Sequence, residues 1–186
     1  MTRVGYAMAT SFATMGIAVV AFVPMPPALV WNATASVPVG LYAIVPADRL
    51  EVDDIVAAAA PTALARLLDE RGYPPAGVPL LKRVAALPGQ RVCRDRGAIT
   101  VDGIAVGVAL EHDRLGRELP AWSGCRVVAA DELFLMNPRV RDSLDGRYFG
   151  PTPAGAVIGR AIPLYTDEGG DGRFIWRAPM RAAPHP

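Results

Sequence analysis

Lysine is almost missing from this chain: of 19 Lys plus Arg residues, only Lys82 is a lysine. Serine is scarce too, at Ser11, Ser36, Ser123 and Ser143, and the chain has two histidines, His112 and His185, and two cysteines, Cys93 and Cys125. Each shortage excludes something. Two cysteines with no histidine spaced beside them do not make a structural zinc site, so no metal is expected. His112 lies in a charged stretch and His185 next to the last residue, so neither is well placed as a catalytic base, and no Gly-x-Ser-x-Gly elbow is present. A net charge of +1 without a basic block argues against a nucleic-acid partner.

What is abundant is apolar surface. The 186 residues are 52% hydrophobic and 20% charged, with a mean hydropathy of +0.26, which is too apolar for a disordered chain and high for a purely soluble one. Val4 to Val23 carries no charge and has the length of a membrane-crossing helix, ending at Pro24, Pro26 and Pro27. A transmembrane anchor over 1–25 is therefore expected. Arg3 before it and the acidic residues Glu51, Asp53 and Asp54 well after it predict a cytoplasmic N-terminus and an exported remainder. The competing reading is a cleavable signal, for which Ala33-Thr34-Ala35 is a small-x-small site set far from the apolar run. Export makes a Cys93–Cys125 disulfide the expectation, two separate buried thiols being the alternative.

Past the anchor, short apolar runs cut by turn residues predict a mainly β domain over 26–166, followed by a loosely held tail over 167–186. Strands are expected at Leu41–Val45, Asp53–Val56, Leu80–Leu87, Gln90–Cys93, Ala98–Val101, Ile104–Val108, Arg126–Ala129, Leu133–Met136 and Ala156–Tyr165. Asp102-Gly103 is a hairpin signal. One short helix is expected from Pro61 to Arg71, with Leu64, Leu67 and Leu68 on one face and Gly72 past its end.

With histidine poorly placed, chemistry falls to Ser36 and Lys82. Ser36 follows the anchor in a segment where Pro38 and Gly40 can fix the backbone, although a lone loop serine is as readily a linker residue. Lys82 sits in an apolar strand, where alternation directs it away from Leu81 and Arg83. A lysine losing hydration there loses proton affinity and becomes a base, a role arginine cannot take. The competing reading is a surface lysine on an apolar stem.

The boxes Ser36-x-Pro38, Asp54-Ile55-Val56, Lys82-Arg83-Val84 with Pro88-Gly89, and Asp142-Ser143-Leu144-Asp145-Gly146-Arg147-Tyr148-Phe149-Gly150 stand in the order found in type I signal peptidases, which the chain resembles from about Ala28 to Tyr165. Asn32-x-Thr34-x-Ser36-x-Pro38-x-Gly40-Leu41-Tyr42 resembles the conjugative-transfer branch of that family. Asn137-Pro138-Arg139-Val140-Arg141, standing where general signal peptidases carry Gly-Asp-Asn, points the same way.

The resemblance implies an antiparallel β serine endopeptidase at the outer face of the bacterial inner membrane, its domain periplasmic. Ser36 matches the nucleophile and Lys82 the general base. Thr34 and the Ser36 N–H match the oxyanion hole, Ser143 matches the hydroxyl that orients the lysine, and Asp145 and Arg147 match a supporting ion pair. The implied substrate is an exported precursor, foremost a pilin cut after small residues and in some members cyclised, with a lipid bilayer as the second partner and no cofactor. The alternatives are a general signal peptidase and a non-catalytic β-rich scaffold of a secretion apparatus.

Overall fold

The computed structural model describes residues 3–22, 28–72 and 77–179. Helix α1 (Arg3–Phe22) comes first. Strands β1 (Leu29–Asn32), β2 (Val39–Val45) and β3 (Ile55–Ala58) follow, then helix α2 (Thr62–Glu70) and strands β4 (Leu80–Ala86), β5 (Arg91–Asp95), β6 (Ala98–Val101), β7 (Ile104–Val108), β8 (Gly124–Val127) and β9 (Glu132–Leu135). One-turn helix α3 (Gly146–Phe149) precedes β10 (Thr152–Pro153), the long β11 (Val157–Asp167) and β12 (Ile175–Trp176). All pairings are antiparallel. The larger sheet runs β1-β2-β11-β3-β4-β9-β10, with β12 beside β11, and the smaller runs β7-β6-β5-β8.

The expectation of a mainly β chain agrees with this architecture, but the expected membrane span is not supported. Residues 3–22 are helical, yet among the described residues no helix is long and apolar enough to cross a membrane. Arg3, Thr10, Ser11 and Thr14 dilute its apolar character, and the Thr10 and Thr14 hydroxyls turn back onto main-chain carbonyls of the same helix. Residues 1–2 and 23–25 of the expected anchor lie outside the described residues.

The domain's sequence logic is period two. In β3, Ile55 and Ala57 enter one apolar cluster with Val37, Tyr42, Leu81 and Ala161, while Val56 and Ala58 enter another with Val84, Leu133 and Leu135. A third cluster, Ala86, Val92, Ile99, Val101, Val128, Phe134 and Met136, includes residues of both sheets. Helix α2 begins after Pro61, buries Leu64 and Leu68, and ends where Gly72 takes φ +69, the left-handed conformation expected just past a helix. The β6–β7 hairpin turns on Asp102 and Gly103, both at positive φ, as an Asp-Gly turn requires.

Gly40 is fixed by close approach. It pairs with Asn32 of β1 and Thr166 of β11 at φ +145, and a Cβ there would lie 2.2 Å from the Tyr165 carbonyl oxygen. No other residue lets β1 and β11 flank β2 so closely. Within 167–179, β12 pairs with β11, and Asp167 accepts hydrogen bonds from the N–H groups of Gly170, Asp171 and Gly172. Residues 180–186 lie outside the described residues.

Candidate active site

Lys82 is presented by β4, opposite Val56 of β3. Alternation puts its side chain on the face of Val56, Val84 and Leu135, while Arg83 reaches the other way to donate to the Asp53 carbonyl at 2.9 Å. Lys82 is 7% exposed. It lines a small, mostly apolar cavity with Leu64 of α2, Leu135, Leu144 and Phe149. Burial lowers its pKa from 10.5 to about 8, a shift opposed by the charge of Asp145 and reinforced by that of Arg147. Nζ donates to Ser143 Oγ at 2.8 Å, and Ser143 is itself buried.

The turn that holds Ser143 is built around one ion pair. Arg147 and Asp145 meet at 2.9 Å, at 1% and 0% side-chain exposure. The guanidinium also donates to the carbonyls of Asn137, Val140 and Arg141, and the Ser143 N–H closes onto Val140 O. Asp145 caps α3 by accepting from the Arg147 N–H. The pair thus satisfies its own charges and folds residues 137–143 around the hydroxyl that meets Lys82.

Ser36 lies in the turn between β1 and β2, half-buried. Its Oγ is 3.1 Å from Thr34 Oγ1, and Thr34 Oγ1 donates to Asn32 Oδ1 at 3.1 Å. With Thr34's one proton on Asn32, Ser36 is the donor in the Ser36–Thr34 bond. Among the described residues the Ser36 N–H has no hydrogen-bond partner, and the side-chain hydrogen bonds of Ser36 and Lys82 lead to Thr34 and to Ser143 rather than to each other.

Three contributors to this site are not legible as such in the sequence. Asn32, buried, donates Nδ2 to the carbonyls of Thr34, Val37 and Pro38 and so gathers the Ser36 turn around one amide. Tyr42 Oη donates to Pro38 O at 2.7 Å from beneath the same turn. Asn137 brackets Lys82 on β4, accepting from the Arg83 N–H at 2.9 Å and donating to Leu81 O at 3.2 Å. The available signal was a polar residue at a strand end, Asn32 closing β1 and Asn137 following β9 just before a proline that bars helix.

Cys93 and Cys125 face each other across β5 and β8 and are disulfide-bonded, their Cα atoms 4.0 Å apart, as expected from export. Among the described residues no cluster of His, Cys, Asp and Glu has metal-binding geometry.

Residues 1–165 match the family model described as signal peptidase, peptidase S26. A probable conjugal transfer protein TraF of Sinorhizobium fredii is 40% identical over 147 residues, covering 73% of this chain and 76% of that one. A conjugal transfer protein TraF of Agrobacterium fabrum is 36% identical over 146 residues, covering 73% and 81%, and a plasmid transfer protein TraF of Escherichia coli is 29% identical over 144, also covering 73% and 81%. A crystal structure of a signal peptidase I from Enterococcus faecalis aligns over 61% of this chain and 97% of its own, at 19% identity and a TM-score of 0.37, too loose a likeness to carry an inference. On a family match spanning most of its length and relatives matched over most of theirs, the chain belongs to the signal peptidase family, peptidase S26.

Proposed function

We propose that this peptidase is a serine endopeptidase with a Ser36/Lys82 dyad that matures an exported protein precursor in plasmid transfer, its substrate a conjugative pilin cut after small residues. The observation that carries the reading is Lys82, the chain's one lysine, buried on an apolar face with its amine aimed by Ser143 and its pKa lowered to about 8. A structural lysine has no need of such a site. The names of the relatives, conjugal and plasmid transfer proteins, supply the process.

In the reaction Ser36 Oγ leaves Thr34 and turns to neutral Lys82, a contact of the kind that tightens when substrate binds. Oγ attacks the scissile carbonyl carbon while Nζ takes its proton. The oxyanion is received by the Ser36 N–H and by the Thr34 hydroxyl, released from Asn32. Collapse breaks the C–N bond, Lys82 passes its proton to the leaving amine, and an ester on Ser36 remains. Water resolves the ester to a cut chain, or an amine of the substrate closes it to a ring.

The disulfide fits a domain working in an oxidising space such as the periplasm. For the bilayer as partner, support comes from a run of aromatic rings beside the Ser36 turn. Trp31 and Tyr165 each stack on Phe174, Trp176 tilts against Tyr165, and Leu29, Trp31, Tyr165 and Trp176 are exposed. Amphipathic rings of this kind favour a membrane–water interface. With these rings as its contact with lipid, we place the catalytic domain at the outer face of the inner membrane.

The test is processing of a purified pilin precursor by wild type, Ser36→Ala and Lys82→Ala proteins of equal fold. Both variants should be inactive, and processing by either would reject the dyad. Product mass separates a cut chain from a ring, which is lighter by one water.

A further inference from the structure

The backbone of β4 has two different neighbours around Lys82. Toward β3, the N–H and C=O of Val84 pair with Asp54 O and the Asp53 N–H, so this edge carries the even-numbered peptide groups of the strand. Toward β9, the edge carries the groups of Leu81 and Arg83, and the last main-chain bond there is Met136 N–H to Arg83 O. Two residues later, Pro138 turns the chain away. The ladder would end there, leaving Leu81 O and the Arg83 N–H without partners beside the proposed base.

Asn137 fills the gap with its side chain. Its Oδ1 accepts from the Arg83 N–H and its Nδ2 donates to Leu81 O, so one carboxamide stands where the next peptide of β9 would have been. Its main chain is held just as closely, the N–H donating to Asp145 Oδ2 at 3.0 Å and the carbonyl accepting from Arg147 Nη2 at 2.8 Å. The residue is 2% exposed. One buried residue therefore ties both flanks of Lys82 to the ion pair that folds the Ser143 turn.

We propose that Asn137 is a positioning residue for Lys82, its carboxamide locking β4 and its main chain locking the Asp145–Arg147 turn so that Nζ and Ser143 Oγ stay at hydrogen-bond distance. Its catalytic consequence rests on the dyad reading, and its geometric consequence does not. The charges acting on Lys82 are those of Asp145 and Arg147. Arg83 on the same strand points to the opposite face, and Val56 of β3, Leu135 of β9 and Leu64 of α2 are uncharged. Freeing β4 from Asn137 lets water reach the ammonium and restores part of its lost hydration.

Because Lys82 is the only lysine, protein labelled with lysine carrying carbon-13 at Cε has a single labelled site, whose titration reports this residue alone. The full chain is titrated as wild type, Asn137→Ala and the nearly isosteric Asn137→Asp, with Val92→Ala as a core variant whose side chain is buried in another cluster. Both Asn137 variants should titrate at least about one pH unit higher than wild type, and Val92→Ala should match wild type even if it melts earlier. At pH 7 such a shift means about tenfold less neutral lysine. Processing by the Asn137 variants should fall about as much and recover as the pH is raised. An unchanged midpoint in a folded Asn137→Asp protein overturns the positioning role. Processing by Lys82→Met would instead reject the dyad and leave the midpoint result standing.

Discussion

Replacing Lys82 by methionine should abolish processing and make the protein more stable. In the unfolded chain Lys82 binds its proton with the ordinary affinity of 10.5, and in the folded chain with one of about 8. Between those values the unfolded state holds more protons, so stability rises with pH across that window. Below about pH 8 both states are charged, and the folded protein bears the full burden of a buried ammonium, about 3 kcal/mol at 1.36 kcal/mol per pKa unit. Methionine has a similar reach and no charge. It forfeits the bond to Ser143 and leaves that buried hydroxyl unpaired, at a cost of about 1 kcal/mol. The net gain near pH 6.5 is about 2 kcal/mol, or roughly 4–8 °C in Tm for a chain of this length. Thermal unfolding followed by circular dichroism at pH 6.5 and pH 10 reads both parts, because the advantage should shrink at the higher pH as wild-type Lys82 sheds its proton. A Lys82→Met protein that melts earlier than wild type at pH 6.5, or whose advantage does not change with pH, would refute the reasoning.

Four further outcomes follow from the same contacts. Ser143→Ala removes the acceptor that aims Nζ and should slow single-turnover processing about tenfold, one hydrogen bond's worth, while wild-type processing should rise about fivefold from pH 7 to pH 8 as Lys82 becomes neutral. Asp145→Ala leaves the Arg147 guanidinium buried without its carboxylate and should cost about 3–5 kcal/mol in urea unfolding. Reducing Cys93–Cys125 should cost about 2–4 kcal/mol in the same assay, with the thiols counted to verify reduction.

Much of the fold was legible because its strands obey simple alternation. The β6–β7 hairpin was visible in Asp102-Gly103, and α2 in Pro61, its leucines and Gly72. The elements that escaped are those without a local signal. β1 and β12 are short edge strands whose Trp31, Ile175 and Trp176 face outward, so no buried face patterns them. α3 is a single turn held by the Asp145 cap and its ion pair rather than by helical periodicity. Val4 to Val23 carries no charge, yet among the described residues no helix is long and apolar enough to cross a membrane, so the anchor read from it is not supported.

The site divides along the same line. The strand pattern of β4 alone put Lys82 on the face opposite Leu81 and Arg83, and the scarcity of lysine drew attention to it. Ser143, Asp145 and Arg147 were reached only through resemblance, because a serine 61 residues from Lys82 becomes its partner through sheet topology alone. Asn32 and Asn137 were invisible as site residues, since each acts through buried bonds to main-chain groups, and which groups need a partner is decided by where the neighbouring strand ends.

The most direct test of a Ser36/Lys82 peptidase is the covalent intermediate itself. A precursor peptide mixed with the purified enzyme, quenched in acid within a turnover and examined by intact mass and peptide mapping, should leave the enzyme carrying the substrate's N-terminal fragment as an ester on Ser36. The adduct should be absent from Ser36→Ala and from Lys82→Met. An adduct on another residue, or precursor processed at the wild-type rate by Ser36→Ala, would contradict the assignment.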